Sequence, residues 1–336
     1  MTRKVTAGTD RVRAGRGAAP PSPEASSSTG STRAAPDARV PGDPGIAAVV
    51  VSFDAAEHLP RCLESLHPLA AAGHPVIVVD NASRDGSAAL VRERFGWARL
   101  LVLDRNVGFA AACNRGAAET TREHLLFLNP DAWLDSGCAV RMAAALARDP
   151  ALGAVAPHLS YPDGRRQFSW EPTPGIAGEA VRRHLRNPLE RWAIAHAPLR
   201  ALYAALGDPG WLTAACLLVR RAAWEAVGGF DQGFFLYFED ADLCLRLRRA
   251  GWRLDLVPGA HAWHLKGGSQ RTASAELYYR ESQFRFYRKH RSAASRRYLL
   301  RRQRRRFGRV DDEALRHALL ELCDRFEAEL AAASES

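Results

Sequence analysis

IAAVVVSF at residues 46–53 is followed by PVIVVD at 75–80, RLLVLD at 99–104 and HLLFLN at 124–129. Each is a short apolar run rich in branched side chains, and the intervals leave room for one helix apiece. Strands without polar alternation belong to a parallel sheet covered on both faces. Helices are expected over His58–Leu69, over Gly86–Phe95 with Ser83 as a candidate cap, over Gly108–Glu119 and over Ser136–Ala147. The alternation reads as an α/β fold, an open, doubly wound, mostly parallel sheet flanked by helices. In such sheets ligands bind beyond the carboxyl ends of the strands.

Polar residues fall at those ends. Asp80 and Asn81 close one strand, Asp104, Arg105 and Asn106 the next, and Asn129 with Asp131 the fourth. Any one of them serves equally well as a helix cap or turn residue, but three strand ends carrying them together point to a site. After about residue 150 the pattern loosens. PHLSYPDGRRQFSWEPTPG reads as loops or a hairpin, and residues 178–206 read as helical. A strand is expected at TAACLLV, a helix at RRAAWEAVG, a loop at GGFDQGFF, a helix at EDADLCLRLRRAG and a strand at WRLDLVP. Residues 1–44 are rich in Ala, Pro, Ser, Gly, Thr and Arg and read as a disordered tail. The organisation expected is therefore that tail, an α/β domain over 45–270 and a basic helical extension over 271–336.

The chain has 336 residues, 47% of them apolar and 25% charged, enough for a large core. No apolar run approaches the roughly 20 residues that cross a bilayer, and the amino terminus carries charges and prolines where a signal peptide is apolar. Export is not expected. Cys62, Cys113, Cys138, Cys216, Cys244 and Cys323 form no CxxC pair and read as core residues of a cytoplasmic protein. The net charge of +10 is concentrated towards the termini, above all in RKHRSAASRRYLLRRQRRRFGR at 288–309. Such a run is either a solvated helix face or a contact with an anionic membrane surface. No nucleic-acid-binding motif accompanies it, so a nucleic-acid partner is not expected.

Two acidic groups could carry chemistry. Asp131 in LLFLNPDAW stands just past a buried strand, where Pro130 removes a backbone donor and fixes the turn. The same NPD also suits a simple type I turn. A hard cation, Mg²⁺ or Mn²⁺, needs only one or two carboxylates beside phosphate oxygens and water. FLYFEDADLC offers Glu239, Asp240 and Asp242 at one helix start, where acids also complement the helix dipole. The preceding GGFDQGFFLYF is a loop rich in glycine and aromatics of the kind that forms a sugar platform. Trp211, Phe235 and Tyr237 are the candidate acceptor-binding residues.

At VVVSFD, VIVVDNASRDGS, NVGFAAACNRG, LLFLNPDAWL, TAACLLVRRAAWEAVGGFDQGFFLYFEDADLCLRLRRAGW and HAWHLKGGS the chain resembles the inverting family-two glycosyltransferases of the GT-A fold, in particular bacterial rhamnosyltransferases. The resemblance spans about residues 46–270 and excludes both termini, and it implies that 45–270 is the catalytic domain, with 45–135 the nucleotide-binding part and 136–270 the acceptor-binding part. It implies transfer of a sugar, rhamnose from dTDP-rhamnose being the favoured donor, to a saccharide or polyprenyl-diphosphate-linked saccharide in cell-envelope polysaccharide synthesis. It places Ser52, Phe53, Asp80 and the turn Arg105, Asn106 to Gly108 around the nucleoside. Asp131 takes the metal-binding position, Asn129 stands in for the first Asp of the family's DxD motif near the ribose or diphosphate, and His264 matches a histidine that completes the metal site in some relatives. Asp240 matches the catalytic base, with Glu239 beside it. Where the family has Thr-Tyr-Asn, this chain has Ser52, Phe53 and Asp54, losing a phenol and gaining a carboxylate.

Rival classes fit less well. A nucleotidyltransferase would carry a glycine-rich basic loop after the first strand and a nicotinamide enzyme a GxGxxG there; VVVSFDAAEHLPRC has neither. The non-enzymatic alternative is an inactive polysaccharide- or membrane-binding module on the same fold, which hydrolysis of nucleotide-sugars without acceptor would separate from an enzyme.

Overall fold

The computed structural model describes residues 45–175, 210–265 and 272–335, with positions 197, 198, 201 and 205 between them. The expected amino-terminal tail and nearly all of the helical stretch at 178–206 lie outside the described residues. The four apolar runs are strands β1 (Ile46–Ser52), β2 (Val76–Asp80), β3 (Arg99–Val102) and β4 (His124–Leu128). They align in parallel in the order β3-β2-β1-β4. The helices between them are α1 (Leu59–Ala71), α2 (Ser87–Arg94) and α3 (Phe109–Ala118). In α1 the buried residues Leu59, Cys62, Leu63, Leu66 and Leu69 recur at helical spacing and form one face against the sheet. In α3, Gly116 lets helix and sheet approach closely, because a β-carbon there would meet Val49 Cγ1 at 2.5 Å.

One local expectation is corrected. Ser83 does not cap α2: its hydroxyl accepts the Asp54 N–H at 3.0 Å, while Gly86 takes the cap position in a left-handed conformation and Asp85 accepts the Ser87 N–H. Ser83 stands too far ahead of the first helical turn, and the loop after β1 claims it instead.

The second half of the sheet is mixed. It runs through β5 (Ala132–Leu134), β6 (Leu152–Ser160), β10 (Cys216–Arg220) and β11 (Arg253–His264), with α4 (Cys138–Arg148), α5 (Arg221–Ala226) and α6 (Glu239–Arg249) packed about it. Strand β10 inserts antiparallel between β4 and β6, and β11 runs parallel to β6 but antiparallel to β5. The loosened pattern after residue 150 resolves into a hairpin of β6 with β7 (Arg166–Gln167), followed by the two-stranded sheet of β8 (Trp170–Glu171) and β9 (Trp211–Leu212).

Three helices follow: α7 (Ala273–His290), α8 (Ala293–Phe307) and α9 (Glu313–Glu335). Thr272 and Ser292 cap α7 and α8 by accepting the Ala275 and Ser295 N–H groups. One apolar cluster joins Phe234, Phe238 and Ala241 to Phe286, Tyr287, Leu299, Phe307 and Phe326, so these helices share a core with the start of α6.

Candidate active site

Parallel register brings Ser52 opposite Asp80 at the ends of β1 and β2. Both are buried, and Ser52 Oγ and Asp80 Oδ2 have no partner among the described residues. Buried polar atoms are almost always hydrogen-bonded, so two orphans at adjacent strand ends mark a place for a polar ligand. Phe53 is 49% exposed beside them, an open face for a base. Asp54 Oδ1 accepts the Arg84 N–H at 2.7 Å, so the additional carboxylate secures the neighbouring loop. Asn81, expected at a strand end but given no role there, organises the next turn: its Nδ2 donates to Asn106 Oδ1 at 2.8 Å and its Oδ1 accepts the Val107 N–H at 2.9 Å. Arg105 is exposed at the head of this turn. Gly108 lies against Phe235, whose carbonyl oxygen accepts the Phe109 N–H at 2.7 Å.

A cavity of about 350 Å³ opens beside this ridge, lined by Asn129, Glu171, Trp211, Tyr237, Glu239, Asp240 and His264 among others. Asp131 borders it through His264, whose Nε2 lies 3.3 Å from Asp131 Oδ1. Gln167 fixes that imidazole: its Nε2 donates to the His264 carbonyl oxygen, which turns its Oε1 towards His264 Nδ1 at 3.2 Å. Nδ1 then carries the proton, and the Nε2 lone pair converges with Asp131 Oδ1 on one point, where a proton or a divalent cation fits. Burial opposes ionisation of Asp131, but the hydrogen bond and charge of His264, with His58 beyond, hold its carboxyl below the ordinary range. Among the described residues no group of three or more His, Cys, Asp or Glu side chains forms a closed metal cage. Two side-chain ligands are what Mg²⁺ or Mn²⁺ needs when a diphosphate supplies the rest.

The acidic run at the start of α6 divides into separate environments. Asp240 Oδ2 accepts the Ala214 N–H at 3.1 Å and Oδ1 the Ala241 N–H at 2.8 Å. Burial pushes its carboxyl up to about 7, against those two bonds and with help from the charge of Glu171. Glu239 is 6% exposed with Oε2 unpartnered among the described residues, and burial next to Asp240 raises it well above the usual carboxylate range. Asp242 faces away. It receives His290 Nε2 at 2.6 Å, Lys289 Nζ at 2.7 Å and Arg246 Nε at 2.7 Å, and these partners outweigh its burial and keep it ionised. Among the described residues the non-glycine positions with positive φ are Asp54, Ala82, Tyr237 and Phe238. All adjoin the strand ends or Asp240, which is where strain held by surrounding structure serves a site.

Of the expected acceptor residues, Trp211 and Tyr237 line the cavity. Phe235 packs against Tyr278 with ring centroids 4.5 Å apart and the rings tilted by 30°, and is not among the lining residues. Sequence reasoning missed Gln167, Glu171 and Tyr279. The first two lie in a segment read as loops, and Tyr279 reaches the cavity from α7, whose basic composition drew attention to its charge. The tyrosine pair Tyr278–Tyr279, set in a helix otherwise rich in charge, was the available signal.

Residues 47–201 match the sequence profile of Glycosyl transferase family 2, and residues 176–317 that of Glycosyl transferase family group 2. The chain is 33% identical over 237 residues to the N-acetylglucosaminyl-diphospho-decaprenol L-rhamnosyltransferase of Mycobacterium tuberculosis, covering 66% of this chain and 76% of that one. It is 29% identical over 250 residues to the O-antigen biosynthesis protein RfbC of Myxococcus xanthus, covering 69% of this chain and 18% of the other. Among solved structures, a mannosyltransferase of Pyrobaculum calidifontis in complex with GDP-Man and Mn²⁺ aligns with a TM-score of 0.51 at 18% identity, covering 87% of this chain and 77% of that one. At that identity the likeness is one of fold.

Proposed function

The chain belongs to glycosyl transferase family 2 and has the GT-A fold, and we propose that it transfers L-rhamnose from dTDP-rhamnose, with inversion, to the saccharide of a polyprenyl-diphosphate-linked acceptor in cell-envelope polysaccharide synthesis. The transferred sugar and the acceptor class follow the name of the mycobacterial relative, and dTDP as the nucleotide follows the resemblance to bacterial rhamnosyltransferases. The observation that carries the reaction is Asp240, a buried carboxylate oriented by two backbone N–H groups in a cavity it shares with His264.

In the reaction, Asp240 takes the proton of the acceptor hydroxyl as that oxygen attacks the anomeric carbon, and the bond from that carbon to the diphosphate oxygen breaks. A carboxyl near 7 is poised for this, being ionised often enough to act and basic enough to accept the proton. Asp131 and His264 would hold Mg²⁺ or Mn²⁺, which, when bound, neutralises the departing diphosphate as a Lewis acid. Ser52, Asp80 and the turn held by Asn81 bind the nucleoside, and Asn129 faces the ribose or diphosphate. The direct test supplies dTDP-rhamnose, UDP-sugars and GDP-sugars with Mn²⁺ and a short-chain polyprenyl-diphosphate N-acetylglucosamine. A rhamnosylated lipid with inverted configuration is expected; retention, or a preference for another donor, overturns the corresponding part.

On this reading the enzyme works at the cytoplasmic face of the membrane, where its lipid-linked acceptor would be, and one feature of α8 supports this. Arg297, Arg301 and Arg305 lie exposed at four-residue spacing with Tyr298 beside them, and Arg309 follows in the next turn. None of the four has an acidic partner among the described residues, whereas Arg288, Arg304 and Arg306 pair with Glu329, with Asp324 and Glu327, and with Glu276. Each arginine near an anionic leaflet contributes about 1 kcal/mol. Reversing Arg297, Arg301 and Arg305 to Glu should therefore lower affinity for phosphatidylserine vesicles on the order of a hundredfold; equal binding by this triple variant would remove the membrane contact. Among the described residues no helix is long and apolar enough to cross a membrane.

A further inference from the structure

We propose that Glu171 and Trp211 form the subsite that grips the acceptor sugar ring bearing the attacking hydroxyl, and that Glu171 selects the acceptor by taking a hydrogen bond from a second hydroxyl of that ring. The proposal rests on the glycosyl-transfer reading above and names residues that the transfer reaction itself does not require.

Glu171 and Trp211 are direct cross-strand partners in the antiparallel pair β8–β9. Directly opposed residues project to the same face of a sheet, and both side chains line the cavity that contains Asp240. The indole is fixed by its own hydrogen bond, Nε1–H donating to the Pro172 carbonyl oxygen at 3.1 Å. It thus offers a flat apolar wall at small entropic cost. Glu239 adds a third carboxyl to the same cavity, 6% exposed, with one oxygen unpartnered among the described residues.

An aromatic wall facing several carboxyl groups suits a ligand with C–H groups on one face and hydroxyl donors around its edge, which is a pyranose. An apolar ligand would leave the orphan oxygen of Glu239 without a partner. Glu171 lies close enough to Asp240 for its charge to act on that carboxyl. The base must touch the acceptor hydroxyl, and its neighbouring wall therefore faces the acceptor and not the donor sugar.

The test compares wild type with Glu171→Gln, Glu171→Ala, Trp211→Phe and Trp211→Ala, using the short-chain acceptor above and its monodeoxy analogues. Acceptor KM should rise at least tenfold in Glu171→Ala and Trp211→Ala, with donor Kd moving less than twofold. Wild type should discriminate against one monodeoxy acceptor, and Glu171→Ala should lose that discrimination, since enzyme and substrate changes that remove the same contact are not additive; Glu171→Gln, whose amide oxygen still accepts a hydrogen bond, should keep part of it. Trp211→Phe, which keeps an aromatic face, should retain most of the acceptor affinity. Unchanged acceptor KM in both alanine variants, or discrimination that survives in Glu171→Ala, overturns the subsite while leaving the transfer reaction standing. A wild-type enzyme that transfers to no saccharide overturns the underlying reading instead. Thermal melting identifies any variant that has lost its fold, for which the conservative partner at the same position decides.

Discussion

Gly108 and Phe235 meet backbone to backbone: a β-carbon on Gly108 would lie 2.5 Å from the Phe235 carbonyl oxygen. Gly108 has φ +83, and the Phe235 oxygen is already bound by the Phe109 N–H. The turn at Asn106–Gly108, which we propose binds the nucleoside, is thereby joined to the loop that leads into Glu239 and Asp240, so the two halves of the candidate site share one close contact.

Gly108→Ala must separate these loops or distort both, because the opposing Phe235 oxygen is backbone and cannot swing aside. Loss of about 2–4 kcal/mol of stability is expected, together with a weaker donor Kd. Chemical denaturation and donor titration check both, and a variant as stable as wild type would show that the contact yields.

Asp240→Asn should retain donor binding and lower turnover at least a hundredfold, roughly 3 kcal/mol. In wild type, activity should fall as pH drops below about 7, as Asp240 becomes protonated. Stability has the opposite sign. A carboxyl raised in the fold contributes stability that is present below its unfolded value of about 4 and lost as pH rises through about 7. Asp240→Asn should accordingly raise the melting temperature more at pH 8 than at pH 5. A melting difference independent of pH would sink the linkage argument, and near-normal turnover would remove Asp240 as base.

Gln167→Leu should weaken Mn²⁺-dependent donor binding by about 10–100-fold, the usual effect of losing a group that orients a metal-binding histidine. Asp131→Ala should weaken it further. Calorimetric titration of donor with and without Mn²⁺ reads both; if Gln167→Leu leaves the metal-dependent part intact, His264 is not held through Gln167.

Asp242→Ala leaves His290, Lys289 and Arg246 without their shared carboxylate and should cost about 3 kcal/mol or more. Its lowered acidity in the fold contributes stability that is present above the unfolded value of about 4 and lost as pH falls below it. Wild type should therefore lose stability below pH 4 more steeply than Asp242→Ala, as urea titrations across that range would reveal. Parallel curves would mean that the ion cluster adds little.

Much was legible in the chain itself. The apolar runs at 46–53, 75–80, 99–104 and 124–129 determined the parallel half of the sheet, because an unbroken run of branched side chains is a local signal that needs no partner to be read. The same runs placed Ser52, Asp80, Asn129 and Asp131 at strand ends, and the order of the motifs carried the family. Tertiary structure decided what each acid does. Glu239, Asp240 and Asp242 stand within four positions of one another, yet Asp240 turns into the cavity while Asp242 is claimed by His290 from 48 residues away. Gln167 reaches His264 across 97 residues, and Glu171 comes beside Trp211 only because β8 pairs with β9. Neither contact leaves a local pattern. Hydrophobic periodicity records what a residue buries, whereas the charge state and direction of a polar group depend on neighbours that only folding brings near.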